Sequence, residues 1–443
     1  MSGFSHKFIG ASVLTVFCIC SVLGATDAGK IKFEAGFIPE RDEIMLGEPL
    51  YVTFYVTNTG SQTFYLETCG DYRGVRSSRF EFKAVDADGH PALDPYPDAP
   101  NLGGILSTSK VSPGTVYSEK LYLPLWIKFD HVGKYVIRGR RTIQFLDKEG
   151  FPQNYASVQP FATDFKLTVR PMDINRLGER IKQLANLLDS ADAANAARQL
   201  GDIEDERVVS YLVRIIEQNQ RDVLAVAAEG LGKHPGPEAV NALAKALQVQ
   251  GDSFVRWKAV EALGNMKSAS AVDVLIPVLN DGDEYLRKDA ADSLGKLNDK
   301  RAIEPLKARL VDPSMIARLA SVEALYTLGE SFHAEWVLPI IQSEQLNEFQ
   351  NAVWFVRKNA GSIAPILLAR CLDMKNPSVT NYYNYTLTWQ IAACGGPSLT
   401  YHHEFNHEGT PEQIKDNQQT LKALVDWANS MDSSTKAALP TLE

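Results

Sequence analysis

The chain has 443 residues, room for two or three domains, with 45% apolar and 22% charged residues, the balance of a globular protein. Its formal charge of −9 and its lack of a Lys/Arg-rich block speak against a phosphate-backbone partner, since nucleic-acid binders carry a basic face. Lys7 precedes an uncharged run from Phe8 to Leu23, FIGASVLTVFCICSVL, and small residues follow at Gly24 and Ala25. This reads as a secretory signal over 1–25, cleaved after Gly24 or Ala25. The run is shorter than the roughly 20 residues that cross a bilayer, although a retained anchor is the other reading. The expected location is periplasmic or extracellular, with no membrane span after cleavage. Cleavage would leave Cys69, Cys371 and Cys394, too few for a disulfide framework. Pairing of Cys371 with Cys394 and three buried thiols are both open.

From Lys30 to Arg170 the pattern is strand-like. LYVTFYVT (Leu50 to Thr57) is dense in β-branched and aromatic residues, and Thr63 to Leu66, Arg79 to Ala84, Val116 to Leu123, Lys134 to Arg138 and Phe165 to Val169 read alike. Turn clusters at Asn58-Thr59-Gly60, Asp86-Ala87-Asp88-Gly89, Ser112-Pro113-Gly114 and 147–150 separate them. Short strands punctuated this way indicate an antiparallel sandwich or barrel. The loop from Asp86 to Ser109 is long, and long ordered loops are often functional.

LGEPLYVTFYVTNTGSQTFYL (Leu46 to Leu66) and FDHVGKYVIRGR (Phe129 to Arg140) give this region its style. It resembles the immunoglobulin-like β-sandwiches that head many exported bacterial proteins. The resemblance implies a domain over 30–171 and places Tyr135 like a corner tyrosine. The Cys…Trp…Cys spacing of antibody domains is absent.

From Asp173 the pattern turns helical and repeats. DAANAARQLG, DVLAVAAEGLG, SFVRWKAVEALG, EYLRKDAADSLG and SMIARLASVEALY close on Leu200, Leu231, Leu263, Leu294 and Leu325, at intervals of 31, 32, 31 and 31. A second apolar helix lies between copies, as in AVNALAKAL (Ala239 to Leu247) and AVDVLIPVL (Ala271 to Leu279). The unit is helix, short Gly-containing turn, helix. One such pair cannot bury its apolar face, so neighbours must stack into a solenoid. The repeats resemble the short HEAT-like repeats first associated with phycobilin lyases, over Asp173 to about Ile341. The expected fold is an immunoglobulin-like antiparallel β-sandwich followed by an α-solenoid of HEAT-like helix pairs over 173–396. A loop, a capping helix and a tail then fill 397–443, with Thr410 as N-cap and Pro411 at the first helical position.

Arg256, Arg287 and Arg318 recur 31 apart, and Asp252 and Asp283 stand four residues before the first two. Such a series either grips an anionic partner or forms an internal Asp/Arg ladder with Asp capping each first helix. The second is expected. Deoxyhypusine hydroxylase resembles this repeat in fold but holds two irons on His-Glu pairs. The corresponding stretches, Ala227-Ala228-Glu229, Lys258-Ala259-Val260 and Asp289-Ala290-Ala291, contain no His, so the di-iron chemistry does not carry over.

YHHEFNHE (Tyr401 to Glu408) contains H-E-x-x-H at His403, Glu404 and His407. On a helix that spacing puts two imidazoles on one face, with the glutamate poised as general base. Ser398 could cap such a helix and Gly409 could end it. Charged and glycine residues crowd the motif, and the region directly before it is solenoid, with no sheet of the zincin type. A zinc-dependent hydrolase, or a metal site at His402, His403 and His407, is therefore an alternative. Protease-inhibitor-like binding by the sandwich is another. The favoured expectation is an exported, non-enzymatic, cofactor-free scaffold that binds a protein partner through the solenoid's concave face, made by the second helix of each pair, and through the sandwich loops. Repeat phase nominates Tyr211, Arg214, Asn241, Lys245, Asp273 and Lys307.

Overall fold

A computed structural model describes residues 22–25, 31–68, 76–77, 79–98, 107–146, 157–249, 251–342, 346–378, 381–403 and 409–431. Cys69 and residues 404–408, which include Glu404 and His407, lie outside them. No described helix is long and apolar enough to cross a membrane. The chain divides into two compact units, 1–205 and 206–443.

The first unit is built from two sheets. β1 (Val22–Ala25), β2 (Lys32–Pro39), β4 (Tyr51–Asn58) and β8 (Val116–Tyr122) form one, in the order β1-β2-β4-β8. The other has the order β3-β10-β9-β5-β7, from β3 (Glu43–Met45), β10 (Ser157–Arg170), β9 (Gly133–Leu146), β5 (Phe64–Thr68) and β7 (Ser107–Val111), and β6 (Phe80–Val85) also pairs with β9. Among the described residues all strand pairings are antiparallel except β3 with β10, where Thr168 stands opposite Glu43. The two sheets share one aromatic core. Phe54 of β4 meets Phe80 of β6 at 5.4 Å, and Phe37 of β2 meets Phe82 at 5.1 Å. The zone of expected cleavage forms β1, with Ala25 opposite Lys32.

The unit boundary falls at 205/206 and not at the change of pattern near 172. The reason is a set of polar bonds from the first helix pair, α1 (Ile174–Leu187) and α2 (Ala193–Asp202), to the strands. Asp173 caps α1 by accepting from the N–H groups of Asn175 and Arg176. Arg176 Nη2 donates to Glu43 at 2.8 Å, Lys120 Nζ donates to Asp192 at 2.7 Å, and the Tyr122 hydroxyl donates to Asp202.

The second unit alternates helices throughout. First helices are α4 (Leu224–Leu231), α6 (Ser253–Asn265), α8 (Glu284–Leu297) and α10 (Met315–Thr327). Second helices are α3 (Val209–Glu217), α5 (Pro237–Ala246), α7 (Ala269–Val278) and α9 (Ile303–Lys307). Then follow α11 (Ala334–Ile341), α12 (Leu346–Asn359), α13 (Ala364–Arg370), α14 (Tyr382–Ala393) and α15 (Pro411–Ser430). α15 starts on a capping box between Thr410 and Gln413, which satisfies two otherwise unpaired N–H groups.

The glycines between copies act at helix contacts, not as turn formers. A Cβ on Gly264 would fall 2.5 Å from Ser293 Oγ, and one on Gly232 would fall 2.9 Å from Ala262. First helices of neighbouring repeats therefore approach nearly backbone to backbone.

The arginines form a ladder whose partners differ from those expected. Asp252 and Asp283 cap their helices by accepting from the N–H groups of Val255 and Tyr285. The guanidinium of Arg256 instead binds Asp281, that of Arg287 binds Asp312, and Arg318 donates to the Asp312 carbonyl. Arg256 and Arg287 thus reach the loop that opens the next repeat, whereas Arg318 binds a carbonyl in the loop before its own helix. In the next repeat's loop, a carboxylate outside the capping position is available to Arg256 and Arg287.

Candidate functional site

The first helices carry a polar face that the sequence reading passed over. Glu229, Glu261, Asp292 and Glu323 recur at 32, 31 and 31 residues, the same interval as the closing leucines. Equal phase puts them in one row across α4, α6, α8 and α10. Lysines link the row. Lys258 Nζ lies 4.0 Å from Glu229 and 2.9 Å from Glu261, and Lys288 Nζ lies 2.7 Å from Asp292 and 3.1 Å from Asp289. Burial and the field of Asp292 raise the Glu323 carboxyl, and Lys288 and Lys358 oppose the rise. Burial also raises Asp289. Burial would pull Lys288 down, but its bonds to Asp292 and Asp289 hold it above its ordinary value. Half-buried carboxylates and amines in alternation give a surface that is charged but nearly balanced.

Large aromatics stand out from the same helices. Phe254 and Trp257 are exposed on α6, Tyr285 on α8 and Tyr326 on α10. Lys258 lies over the Trp257 ring at 4.6 Å. The row ends in a groove of about 340 Å³ between α12 and α14, lined by Gln350, Trp354, Arg357, Tyr385, Trp389 and Gln390, among others. Trp354 is 56% exposed and Trp389 60%, although indole surface of this size is usually buried. Lys358 sits over the Trp354 ring at 5.0 Å, and Arg357 sits 5.9 Å from Trp389. Gln350 donates to the Tyr382 hydroxyl at 3.0 Å, which fixes one wall. Gln390 Oε1 is buried with no hydrogen-bond partner among the described residues.

The nominated second-helix residues occupy a different face and are mostly engaged. Lys245 binds Glu217 at 2.8 Å, Asp273 binds Arg301 at 2.6 Å, and Lys307 lies 3.1 Å from Glu330 and 3.3 Å from Glu304. Arg214 lies over the Tyr211 ring at 5.8 Å. Asn241 is exposed. These exposed pairs tie successive repeats together, each contributing little.

The H-E-x-x-H histidines are only partly described. Residues 397–403 are not helical, so Ser398 does not open a helix there. The ring of His403 stacks on Tyr385 at 4.6 Å, and His402 Nε2 lies 3.6 Å from Asp416. His403 thus belongs to the aromatic cluster beside the groove. Cys371 and Cys394 are free thiols and do not pair with each other. Burial pushes the Cys371 thiol up to about 12, which makes it inert.

Residues 179–264 and 250–326 match the family model of HEAT repeats. No curated protein sequence matches the chain. The complex of CpcE and CpcF of phycocyanin lyase from Nostoc is similar to 56% of this chain over 93% of its own length, at 19% identity and a TM-score of 0.32. An archaeal HEAT-like repeats protein from Thermococcus onnurineus is similar to 55% of the chain over 98% of its own, at 15% identity and a TM-score of 0.33. Human deoxyhypusine hydroxylase is similar to 50% of the chain over 96% of its own, at 16% identity and a TM-score of 0.26. Likenesses at these scores carry no argument about function. The chain thus has a HEAT-repeat region over residues 179–326 and, before it, a β-rich region of mostly antiparallel sheets.

Proposed function

We propose that this chain is an exported, non-catalytic scaffold whose helical unit captures an extended peptide segment of a partner protein. The observation that carries this reading is the groove holding the exposed indoles of Trp354 and Trp389. Extended, proline-rich segments dock into grooves lined by aromatic rings. The amides of Gln350 and Gln390 suit a peptide backbone, and Arg357 suits an acidic side chain beside it. Stacked repeats supply an extended surface on which such a segment can continue, here along the row from Glu323 back to Glu229.

The reading keeps two expectations from the sequence. Export rests on the segment from Lys7 to Ala25. The immunoglobulin-like assignment of the first unit is supported by two sheets around one core and by the parallel β3–β10 pair. It is also supported by the Tyr135 hydroxyl, which donates to the His131 carbonyl at 3.0 Å, the bond of a tyrosine corner.

The test is binding of an array of proline-rich peptides carrying one acidic residue, followed by Trp fluorescence. Trp354→Ala and Trp389→Ala should each weaken capture about tenfold or more, as loss of an aromatic anchor does, with unchanged thermal unfolding. Equal capture by wild type and both variants, or no capture by any, would overturn the assignment.

A further inference from the structure

Tyr285 stands on α8, outside the groove between α12 and α14. It follows Phe254 by 31 residues, so the two hold the same place on successive first helices. Tyr285 is 64% exposed and Phe254 55%. The other exposed rings of these helices have a partner within the chain. Lys258 lies over Trp257, Phe254 tilts against Trp257 at 5.6 Å, and Tyr326 meets Phe355 edge-on at 5.7 Å. Among the described residues, Tyr285 is the one exposed ring of α6, α8 and α10 with no ring or cation against it.

The charge around Tyr285 is one-sided. An open depression of about 580 Å³ beside it is lined by Asp283, Glu284, Arg287, Pro313 and Ser314. Arg287 is occupied by Asp312. Asp283 accepts the Tyr285 N–H, and neither Asp283 nor Glu284 is in an ion pair among the described residues. Two carboxylates thus stand against the roughly half positive charge of the α8 N-terminus, and the depression is net negative. One repeat back, Asp252 precedes Phe254 as Asp283 precedes Tyr285, and it too caps its helix. Each place combines a ring face with a carboxylate. A ring face attracts a cation, and lysine already takes that position on Trp257 and Trp354.

The packing fixes the distance between the two places. α6 and α8 approach nearly backbone to backbone at Gly264 and Ser293, and axes of packed helices lie about 8–10 Å apart. An extended chain rises about 3.3 Å per residue, so three residues cover one repeat.

We propose that the N-terminal ends of α6 and α8 dock an extended basic segment of a partner protein. One Lys or Arg side chain lies over Tyr285 beside Asp283 and Glu284, and a second, three residues away, lies over Phe254 beside Asp252. The helical unit then has a second contact besides the groove, with a charge preference opposite to that of Arg357.

The test uses the full chain and labelled peptides, read by fluorescence anisotropy at low salt. One peptide carries two lysines three residues apart, and the others carry adjacent lysines or two glutamates three residues apart. The spaced-lysine peptide should bind most tightly, and its binding should weaken as salt rises. Phe254→Ala/Tyr285→Ala should weaken it about tenfold or more, as loss of aromatic anchors does. Tyr285→Phe keeps the ring and should bind as wild type does. Both positions are exposed, so thermal unfolding should not change. Trp354→Ala should leave this binding intact, which separates it from capture in the groove. Equal binding of all three peptides, equal binding by wild type and the double alanine variant, or no binding of the spaced-lysine peptide at millimolar concentration would overturn the proposal.

Discussion

Arg287 holds Asp312 with two hydrogen bonds, Nη2 to Oδ1 at 2.7 Å and Nε to Oδ2 at 2.9 Å. The two residues stand 25 apart in sequence, and the Asp312 side chain is 0% exposed. Truncation at Arg287 would leave a buried carboxylate with the Ser314 N–H and the more distant Arg309, at 3.8 Å. Arg287→Ala should therefore cost about 3–5 kcal/mol, read as a fall in the urea midpoint. Arg256→Ala should cost less, because its partner Asp281 is partly solvated. Equal losses at the two sites would contradict the role given to burial.

The same joint should titrate. Burial works against the ionised form of Asp312, but the Arg287 guanidinium and the Ser314 N–H outweigh it and hold its carboxyl below the usual range. A carboxyl depressed in the folded state contributes stability above its unfolded value near 4, and that contribution disappears as pH falls through the lower folded value. The stability gap between wild type and Asp312→Asn should be full at pH 7 and should shrink below about pH 4. A gap independent of pH would show that Asp312 is not ionised in the fold.

Gly264 should resist even a methyl group. The Cβ would meet Ser293, whose hydroxyl donates to the Val260 carbonyl at 3.2 Å and is not free to swing away. Gly264→Ala should cost about 1–3 kcal/mol. Gly282→Ala, where a Cβ meets nothing within 4 Å, should stay within about 0.5 kcal/mol. Thermal melts of the two variants side by side decide it.

The first helix pair should loosen from the strands when its polar bonds are cut. Tyr122→Phe removes the hydroxyl that donates to Asp202, and a bond to a charged acceptor is worth about 1.5–3 kcal/mol. Amides of α2 should then exchange faster, while those of α8 should not change. Unaltered exchange in α2 would mean that apolar contact alone seats the pair.

Much of this architecture was readable from periodicity. The 31-residue interval of the leucines located the helix pairs, and Thr410-Pro411 located the start of α15. The ladder was visible but its partners were not. Asp252 stands four residues from Arg256 and looks like its mate, yet it is occupied by the N–H of Val255, and Asp281 is reached only once the next repeat is stacked. Glu229, Glu261, Asp292 and Glu323 share the interval and could have been found by it. Trp354 and Trp389 could not, because the copies around them are degenerate and neither is in phase with Trp257. In YHHEFNHE the short motif suggested a helix, but residues 397–403 run without one.

The ladder has a consequence for the length of the chain. Arg256 and Arg287 each answer to the aspartate 25 residues ahead, and their units repeat after 31, so a cut-and-join of that whole period restores this spacing. Excision of 256–286 would bring Arg287 to the fourth place after Asp252 and set Asp312 where Asp281 had stood. Such an array can be shortened or lengthened by duplication without inventing a new joint. The number of repeats is thus the least constrained quantity in this fold, and the spacing within each is the most constrained.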